Sequence, residues 1–82
     1  MYYVYLIQSE SDGSLYIGYT SDLTDRLLRH NTNRSRYTRG RGPWRLLGYK
    51  SFRTRGEAMI EERRLKGLKN RLAILGEFGL EA

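Results

Sequence analysis

The sequence predicts an α+β fold, in which helices flank a three-stranded antiparallel sheet. Two aromatic and β-branched segments, at residues 2–8 and 15–19, lie on either side of a short polar stretch, which is typical of a β-hairpin. A third segment of this kind spans residues 44–52, with helical leucine spacing both before and after it. At 82 residues the chain has room for one domain, which we expect to span residues 1–82.

The hairpin turn is predicted at residues 9–14, a polar cluster that contains the favoured turn pair Asp-Gly. On the first strand Tyr3 and Tyr5 are two residues apart, so both side chains should lie on one face of the sheet. Pairing of the two strands would bring Tyr5 close to Tyr16 on the second strand. Tyrosines are common in strands, so this closeness indicates either a shared site or ordinary packing.

The first helix is predicted over residues 22–31. Thr20 or Ser21 should be its N-cap, because a hydroxyl can accept a hydrogen bond from an amide of the first turn. Leu23 and Leu27 are four residues apart and should form the buried face of the helix.

Two polar residues of this helix are candidates for chemistry. Arg26 and His30 are four residues apart and therefore lie on one side of the helix. Each also has an ordinary interpretation: Arg26 as the ion-pair partner of Asp22, and His30, the only histidine, as a cation at the negative helix end. The spacing alone leaves both interpretations open.

Residues 32–43 should form a polar loop within a strongly basic segment. The formal charge of the chain is +6, and between Arg26 and Arg55 there are nine arginines, one lysine and no acidic residue. Arginine binds phosphate through its planar fork, and aromatic side chains within such a segment can stack on bases. We therefore expect nucleic-acid binding rather than a merely solvated basic surface, with these residues as candidates: Arg34, Arg36, Tyr37, Arg39 and Arg41.

The second helix is predicted to begin at a capping box formed by Thr54 and Glu57 and to run to about Lys69. An apolar stripe continues from this helix into a final short helix through Leu65, Leu68, Leu72 and Leu75.

Glu62 on the second helix is either a functional carboxylate or a surface partner of Lys66, which lies one turn later. At 100° per residue, Glu61 rather than Glu62 falls within the apolar stripe of Leu65 and Leu68. The helical wheel therefore leaves two glutamates as candidates for one functional position.

Composition excludes several classes of chemistry. The chain has no cysteine, so disulfides, thiolate metal sites and cysteine nucleophiles are absent. No stretch approaches the roughly 20 apolar residues of a membrane span. We therefore expect a soluble, cytoplasmic protein with no membrane partner.

Taken in order, these residues resemble the GIY-YIG nuclease superfamily, and the likeness extends through nearly the whole chain. It is closest to the small stand-alone bacterial members, which are related to the N-terminal nuclease domain of bacterial excinuclease. The matching blocks are Leu-Tyr-Ile-Gly-Tyr-Thr at 15–20, Arg-X-X-X-His-Asn at 26–31, Tyr-Thr-Arg at 37–39 leading to Pro43, and Glu-Ala-Met at 57–59 followed by Glu62 and Lys66. The family's first motif begins with glycine, whereas Tyr3 stands there in this chain.

The resemblance implies a metal-dependent endonuclease that acts on DNA, with RNA left open. Tyr16 would activate or orient the attacking water, with Tyr5 beside it. Arg26 would hold the scissile phosphate, His30 would assist proton transfer, and Glu62 would bind one Mg²⁺ or Mn²⁺ ion. A phenol with a pKa of about 10 needs cationic neighbours to act as a base near neutrality, and Arg26 with the metal would provide them.

Further expectations follow from the resemblance. Glu61 is the alternative metal ligand, Lys66 joins the nucleic-acid-binding set, and Asn70 is a weaker candidate for the asparagine that binds phosphate in many relatives. We expect a role in DNA repair or recombination, with a protein partner to supply targeting. Two other functions stay open: a basic module that binds nucleic acid with little or no catalysis, and a small protein whose arginines bind an acidic protein.

Overall fold

The computed structural model describes residues 1–80 and confirms the predicted α+β class. The three strands form one antiparallel sheet in the order β2-β1-β3, so β1 is central and both other strands lie at edges. Within residues 1–80, no helix has the length and apolar character needed to cross a membrane. The elements are β1 (Tyr2–Ser9), β2 (Leu15–Thr20), α1 (Leu23–Asn31), β3 (Trp44–Phe52), α2 (Arg55–Leu68) and α3 (Arg71–Glu77).

The central strand separates two apolar clusters because its side chains alternate between the faces of the sheet. Val4 and Leu6 point to one face and pack with Leu65 of α2 and with α3. Tyr5 and Ile7 point to the other face, where α1 covers them. The sheet therefore lies between α1 on one side and α2 with α3 on the other.

Helix α1 begins later than the sequence predicts. Its N-cap is Asp22, whose carboxylate accepts a hydrogen bond from the Asp25 amide at 3.0 Å. The prediction of Thr20 or Ser21 as the cap was wrong. Thr20 still belongs to β2, and its hydroxyl accepts a hydrogen bond from the Asp22 amide at 3.0 Å, so it stabilises the turn that precedes the helix.

Helix α2 begins at the predicted capping box. The Glu57 amide donates to the Thr54 hydroxyl at 3.2 Å, and the Thr54 amide donates to the Glu57 carboxylate at 3.1 Å. Two otherwise unsatisfied amides of the helix start are thereby paired.

The apolar stripe predicted to continue into α3 is interrupted. Lys69 has a left-handed backbone conformation with φ of 50°, and Asn70 then caps α3 through a hydrogen bond from the Ala73 amide at 3.0 Å. Because α3 starts afresh, the helical phase changes and Leu72 is 62% exposed, so its predicted place in the stripe was wrong. Asn70 serves the fold as a helix cap.

An ionic network joins α2, α3 and β3. Glu61 accepts hydrogen bonds from Lys50 at 2.7 Å and Arg64 at 2.8 Å, and Glu77 contacts the same two cations at 3.1 and 2.7 Å. The hydrogen bonds from Arg64 and Lys50 lower the pKa of Glu61 to about 2, against the opposing effect of burial. Glu61 is thus engaged on the α3 side of helix α2.

Candidate functional site

An open cleft of about 400 Å³ runs along the outer edge of β2. Because β2 is an edge strand, side chains of α1, on one face of the sheet, and of α2, on the other face, both reach past the edge of β2 into the cleft. The residues that give the cleft its chemistry are Tyr16, Gly18, Tyr19, Arg26, Arg55 and Glu62.

Tyr16 lies half-buried at the wall of the cleft. Burial raises the pKa of its phenol, the Glu62 carboxylate raises it further, and Arg26 opposes the change. This direction differs from the lowering expected from cationic neighbours. The protein's own groups therefore keep Tyr16 as a neutral phenol near neutral pH.

Tyr5 lies behind this wall and is only 2% exposed. It is the direct partner of Gly18 in the β1–β2 ladder, and its ring covers that glycine. A Cβ atom at Gly18 would come within 2.7 Å of the Tyr5 Cζ atom, which is closer than real Cβ contacts allow. The glycine of the Tyr-Ile-Gly segment is therefore required by the packing of Tyr5. Tyr3 packs edge-on against Tyr49 instead, with ring centres 5.8 Å apart.

His30 is buried, with 1% exposure, and does not line the cleft. Its Nε2 atom lies 2.9 Å from the Tyr5 hydroxyl, and its Nδ1 atom lies 2.7 Å from the Thr38 hydroxyl. Its ring centre is 5.1 Å from that of Tyr16. Burial lowers the pKa of His30, and Arg26 lowers it further, which favours the neutral ring, in which one nitrogen donates and the other accepts.

Thr38 and Trp44 complete the support behind the cleft, and the site predictions did not include them. The Trp44 indole donates to the Thr38 carbonyl at 3.2 Å, and the Asn31 side-chain amide donates to the Trp44 carbonyl at 3.0 Å. These bonds attach the loop of residues 32–43 to β3 and β3 to α1, and the contact between His30 and Thr38 attaches the loop to α1. Thr38 is completely buried despite lying between exposed residues, and only its place in a matching block of the family resemblance could have indicated this role.

Arg26 of α1 lines the cleft, whereas His30, one turn later on the same helix, does not. One of its Nη atoms donates to the Tyr19 carbonyl at 3.4 Å. Within residues 1–80 it has no carboxylate within 4.0 Å, so the alternative pair with Asp22 does not form. Among the residues that the structure describes, the Arg26 guanidinium therefore forms no ion pair.

Glu62 of α2 also faces the cleft, and its side chain is 21% exposed. Its carboxylate lies 3.7 Å from the Lys66 amine, and that amine lies 5.6 Å from the centre of the Tyr16 ring. The ion pair between Glu62 and Lys66, which was the alternative to a functional carboxylate, is therefore present, and it lies beside Tyr16. Glu61 is bonded on the α3 side and does not line the cleft.

The donor set in the cleft fits one divalent ion of the magnesium type. Among residues 1–80, no three His, Asp or Glu side chains come together as a protein-only metal cage. Mg²⁺ often binds through one or two carboxylates while water and substrate phosphate supply its other ligands. Glu62, as a single carboxylate in an open cleft, matches that mode of binding.

The predicted nucleic-acid-binding residues of the loop lie outside the cleft and are exposed. Tyr37 is 72% exposed, and Arg34 donates to the Thr32 hydroxyl at 2.9 Å. Arg41 lies 3.6 Å from the Asp12 carboxylate and also donates to the Ser14 hydroxyl, which fixes the loop to the hairpin turn. The arginine candidates with no such anchor among residues 1–80 are Arg36 and Arg39.

Arg55 and Tyr19 line the cleft although the sequence predictions did not include them. The Arg55 guanidinium donates to the Tyr19 hydroxyl at 3.3 and 3.4 Å. A sequence signal existed, because Arg55 precedes Glu62 by seven residues on the same helix and so lies on the same helical face.

A three-stranded sheet between helices, with Tyr16, Arg26 and Glu62 lining one cleft and Tyr5 and His30 buried behind it, is the arrangement of a GIY-YIG catalytic domain. The sequence profile of that domain matches residues 1–74, and the chain belongs to the GIY-YIG family. It is similar to a UPF0213 protein of Oceanobacillus iheyensis, at 48% identity over 68 residues that cover 82% of this chain and 78% of the relative.

Further relatives carry the same name. A UPF0213 protein of Halobacterium salinarum is 45% identical over 69 residues, which cover 83% of this chain and 88% of the relative. The solution NMR structure of a UPF0213 protein from Bacillus halodurans superimposes with a TM-score of 0.54 at 42% identity, covering 87% of this chain and 77% of the other. That structure bears out the predicted fold, and the relatives' names state no activity.

Proposed function

We propose that this protein is a divalent-metal-dependent endonuclease that hydrolyses phosphodiester bonds in DNA. The observation that carries the proposal is the convergence of Tyr16, Arg26 and Glu62, from β2, α1 and α2, on one open cleft. Hydrolysis of a phosphodiester needs a group to orient water, a positive charge for the phosphate and a metal ligand, and these residues supply one of each. An open cleft also admits a polymer that continues beyond both ends.

Each residue has a role that suits its chemistry. The Arg26 guanidinium binds the nonbridging oxygens of the scissile phosphate and stabilises the charge that develops during attack. The neutral Tyr16 hydroxyl orients the attacking water, because a phenol can both accept and donate a hydrogen bond. Glu62 would hold the metal ion, which would supply Lewis-acid activation of the phosphoryl group when bound. Tyr5 and His30 support Tyr16 from behind, and a proton-transfer role for His30 stays a prediction.

The reaction is hydrolysis. The water oxygen forms a bond to phosphorus while one phosphorus–oxygen ester bond breaks. The products are a phosphomonoester and an alcohol, and of the two protons of water one ends on the alcohol and the other is released. A function of this kind belongs in DNA repair or recombination, where strands are cut internally.

A cleavage assay with matched variants tests the proposal. Purified protein is incubated with duplex, single-stranded and flap DNA in Mg²⁺ or Mn²⁺. We expect Tyr16→Phe, Arg26→Gln and Glu62→Gln each to lower the rate by about 100-fold or more. The controls Tyr49→Phe, Arg29→Gln and Glu10→Gln remove the same groups from exposed positions outside the cleft and should leave the rate unchanged. Cleavage that survives both Tyr16→Phe and Glu62→Gln would remove this mechanism.

A second candidate function is a basic module that binds nucleic acid without useful catalysis. The observation that favours it is the Lys66 amine 3.7 Å from Glu62, which already supplies a cation to the carboxylate. This function predicts DNA binding that weakens steeply with salt and is unchanged by a chelator. Absence of cleavage on all three DNA forms, together with such binding, would favour it over the nuclease.

A further inference from the structure

Arg55 presents a fixed guanidinium to the cleft. Its Nη2 and Nε atoms donate to the Tyr19 hydroxyl at 3.3 and 3.4 Å, and its guanidinium carbon lies 5.9 Å from the centre of the Tyr19 ring. Arginine has five N–H donors in a rigid fork, so donors remain available beyond those that Tyr19 accepts. Tyr19 therefore orients the guanidinium without neutralising it.

In the described part of the chain Arg55, like Arg26, forms no ion pair. Within residues 1–80, no carboxylate lies within 4.0 Å of either guanidinium, whereas Arg29, Arg41 and Arg64 each form an ion pair. Both guanidiniums line one cleft, so the cleft offers two positively charged groups to an anion.

The two guanidiniums enter the cleft from opposite faces of the sheet, because Arg26 lies on α1 and Arg55 on α2. On α2, Arg55 precedes Glu62 by seven residues, which is two turns and about 10 Å along the helix axis. A phosphate held by Arg26 beside the Glu62 carboxylate thus leaves Arg55 for a different phosphate.

We propose that Arg55, oriented by Tyr19, binds a second phosphate of the same nucleic-acid strand, adjacent to the scissile one. The inference rests on the proposed function, because the first phosphate is the one that the nuclease would cut. It defines the substrate class as a strand with at least two successive phosphates. Mononucleotides and small phosphomonoesters would occupy only half of the site.

Binding of two small probes to the full chain tests this proposal without any cleavage. The probes are thymidine 5′-phosphate, with one phosphate, and the 5′-phosphorylated thymidine dinucleotide, with two. Affinities are measured by calorimetry or amide shifts in the presence of a chelator. We expect the dinucleotide to bind about tenfold or more tightly than the mononucleotide, and Arg55→Gln to remove most of that difference.

Two further variants distinguish a specific phosphate-binding site from a nonspecific effect of positive charge. Arg53→Gln removes the same charge from an exposed residue outside the cleft and should keep the preference for the dinucleotide. Tyr19→Phe keeps every charge but removes the hydroxyl that orients Arg55, so it should weaken dinucleotide binding several-fold and leave the mononucleotide unchanged.

The outcomes distinguish this inference from the proposed function. Equal affinities for the two probes, including no measurable binding of either, or equal losses of affinity in Arg53→Gln and Arg55→Gln, would overturn the second phosphate site. A preference that depends on Arg55 in a protein that cuts no DNA would keep the site and remove the nuclease. DNA cleavage by a protein that shows no preference for the dinucleotide would keep the nuclease and remove the second phosphate site.

Discussion

The hydroxyl of Tyr5 lies 2.9 Å from the Nε2 atom of His30, and both side chains are at most 2% exposed. His30 continues the chain of polar contacts to Thr38, so β1, α1 and the loop of residues 32–43 are joined by buried hydrogen bonds. The ring of Tyr16 packs against both Tyr5 and His30. The position of Tyr16, which lines the cleft, therefore depends on groups that do not line it.

Tyr5→Phe should destabilise the protein. The change removes the hydroxyl and leaves the His30 Nε2 atom buried without its partner, which costs about 1–3 kcal/mol in the free energy of unfolding. Urea unfolding measures the difference. The control is Tyr49→Phe, at a residue that is 54% exposed, and we expect a change of at most about 0.5 kcal/mol there. Equal changes in the two variants would show that the buried hydrogen bond does not contribute.

Stability should fall as pH decreases below 6.5, and His30 should be a cause. Burial and Arg26 lower the pKa of His30 below its ordinary value of 6.5, so on acidification the unfolded chain takes up the proton first. The loss begins near pH 6.5 and continues down to the folded pKa, with a slope of at most about 1.4 kcal/mol per pH unit from this one group. The phenols of Tyr5 and Tyr16, which contact the ring, have pKa values raised above their ordinary value of 10.0 and so do not titrate in this range.

The measurement is urea unfolding at pH 7.5, 6.5 and 5.5 for the native protein and for His30→Gln. The variant removes the titrating group and is expected to lose less stability on acidification, whatever its stability at pH 7.5. An unchanged slope in the variant would mean that other groups account for the pH dependence.

Gly18→Ala should destabilise the protein by about 1–3 kcal/mol, because the new methyl group would overlap the Tyr5 ring and force it to move. Gly67→Ala is the matched control. Gly67 lies within α2, and a Cβ there meets no atom within 4 Å, so alanine should stabilise the helix by up to about 1 kcal/mol. Thermal or urea unfolding of both variants gives the two signs, and a stable Gly18→Ala protein would contradict the packing described for Tyr5.

Two exposed loop arginines should contribute to DNA binding through phosphate contacts. Replacing Arg36 or Arg39 by glutamine should reduce the slope of log affinity against log salt on duplex DNA by about 0.9 for each phosphate that is no longer bound. Arg41→Gln should change the slope less, because its guanidinium is already engaged by Asp12 and the hairpin turn. Fluorescence anisotropy over a series of salt concentrations measures the slopes, and three identical slopes would argue against specific phosphate binding by Arg36 and Arg39.

Local sequence patterns predicted strands and helices well where the side chains of a segment strongly favour one kind of secondary structure. The third strand was predicted over residues 44–52 and spans Trp44–Phe52, because β-branched and aromatic side chains fit a half-buried sheet. The predicted cap of α1 was wrong because Thr20 and Asp22 can both accept an amide hydrogen bond. Since β2 extends through Thr20, the helix begins later and Asp22 is its cap. Leu72 was misplaced because a left-handed residue, Lys69, restarts the helical phase.

The site was harder to predict because it depends on contacts between distant elements. The helical wheel left Glu61 and Glu62 as alternatives, and the tertiary network decides their surroundings, since Lys50 and Arg64 engage Glu61 on the α3 side. Arg55 was not among the predicted site residues, and its contact with Tyr19 of β2 accompanies its place in the cleft.

The place of the cleft at an edge strand limits how this protein can assemble. A strand added beside β2 would run about 4.8 Å from it and fill the space between Tyr16 and Glu62. Any sheet extended across two copies with the cleft still accessible must therefore be joined through β3. Self-association through β2 would instead block the cleft.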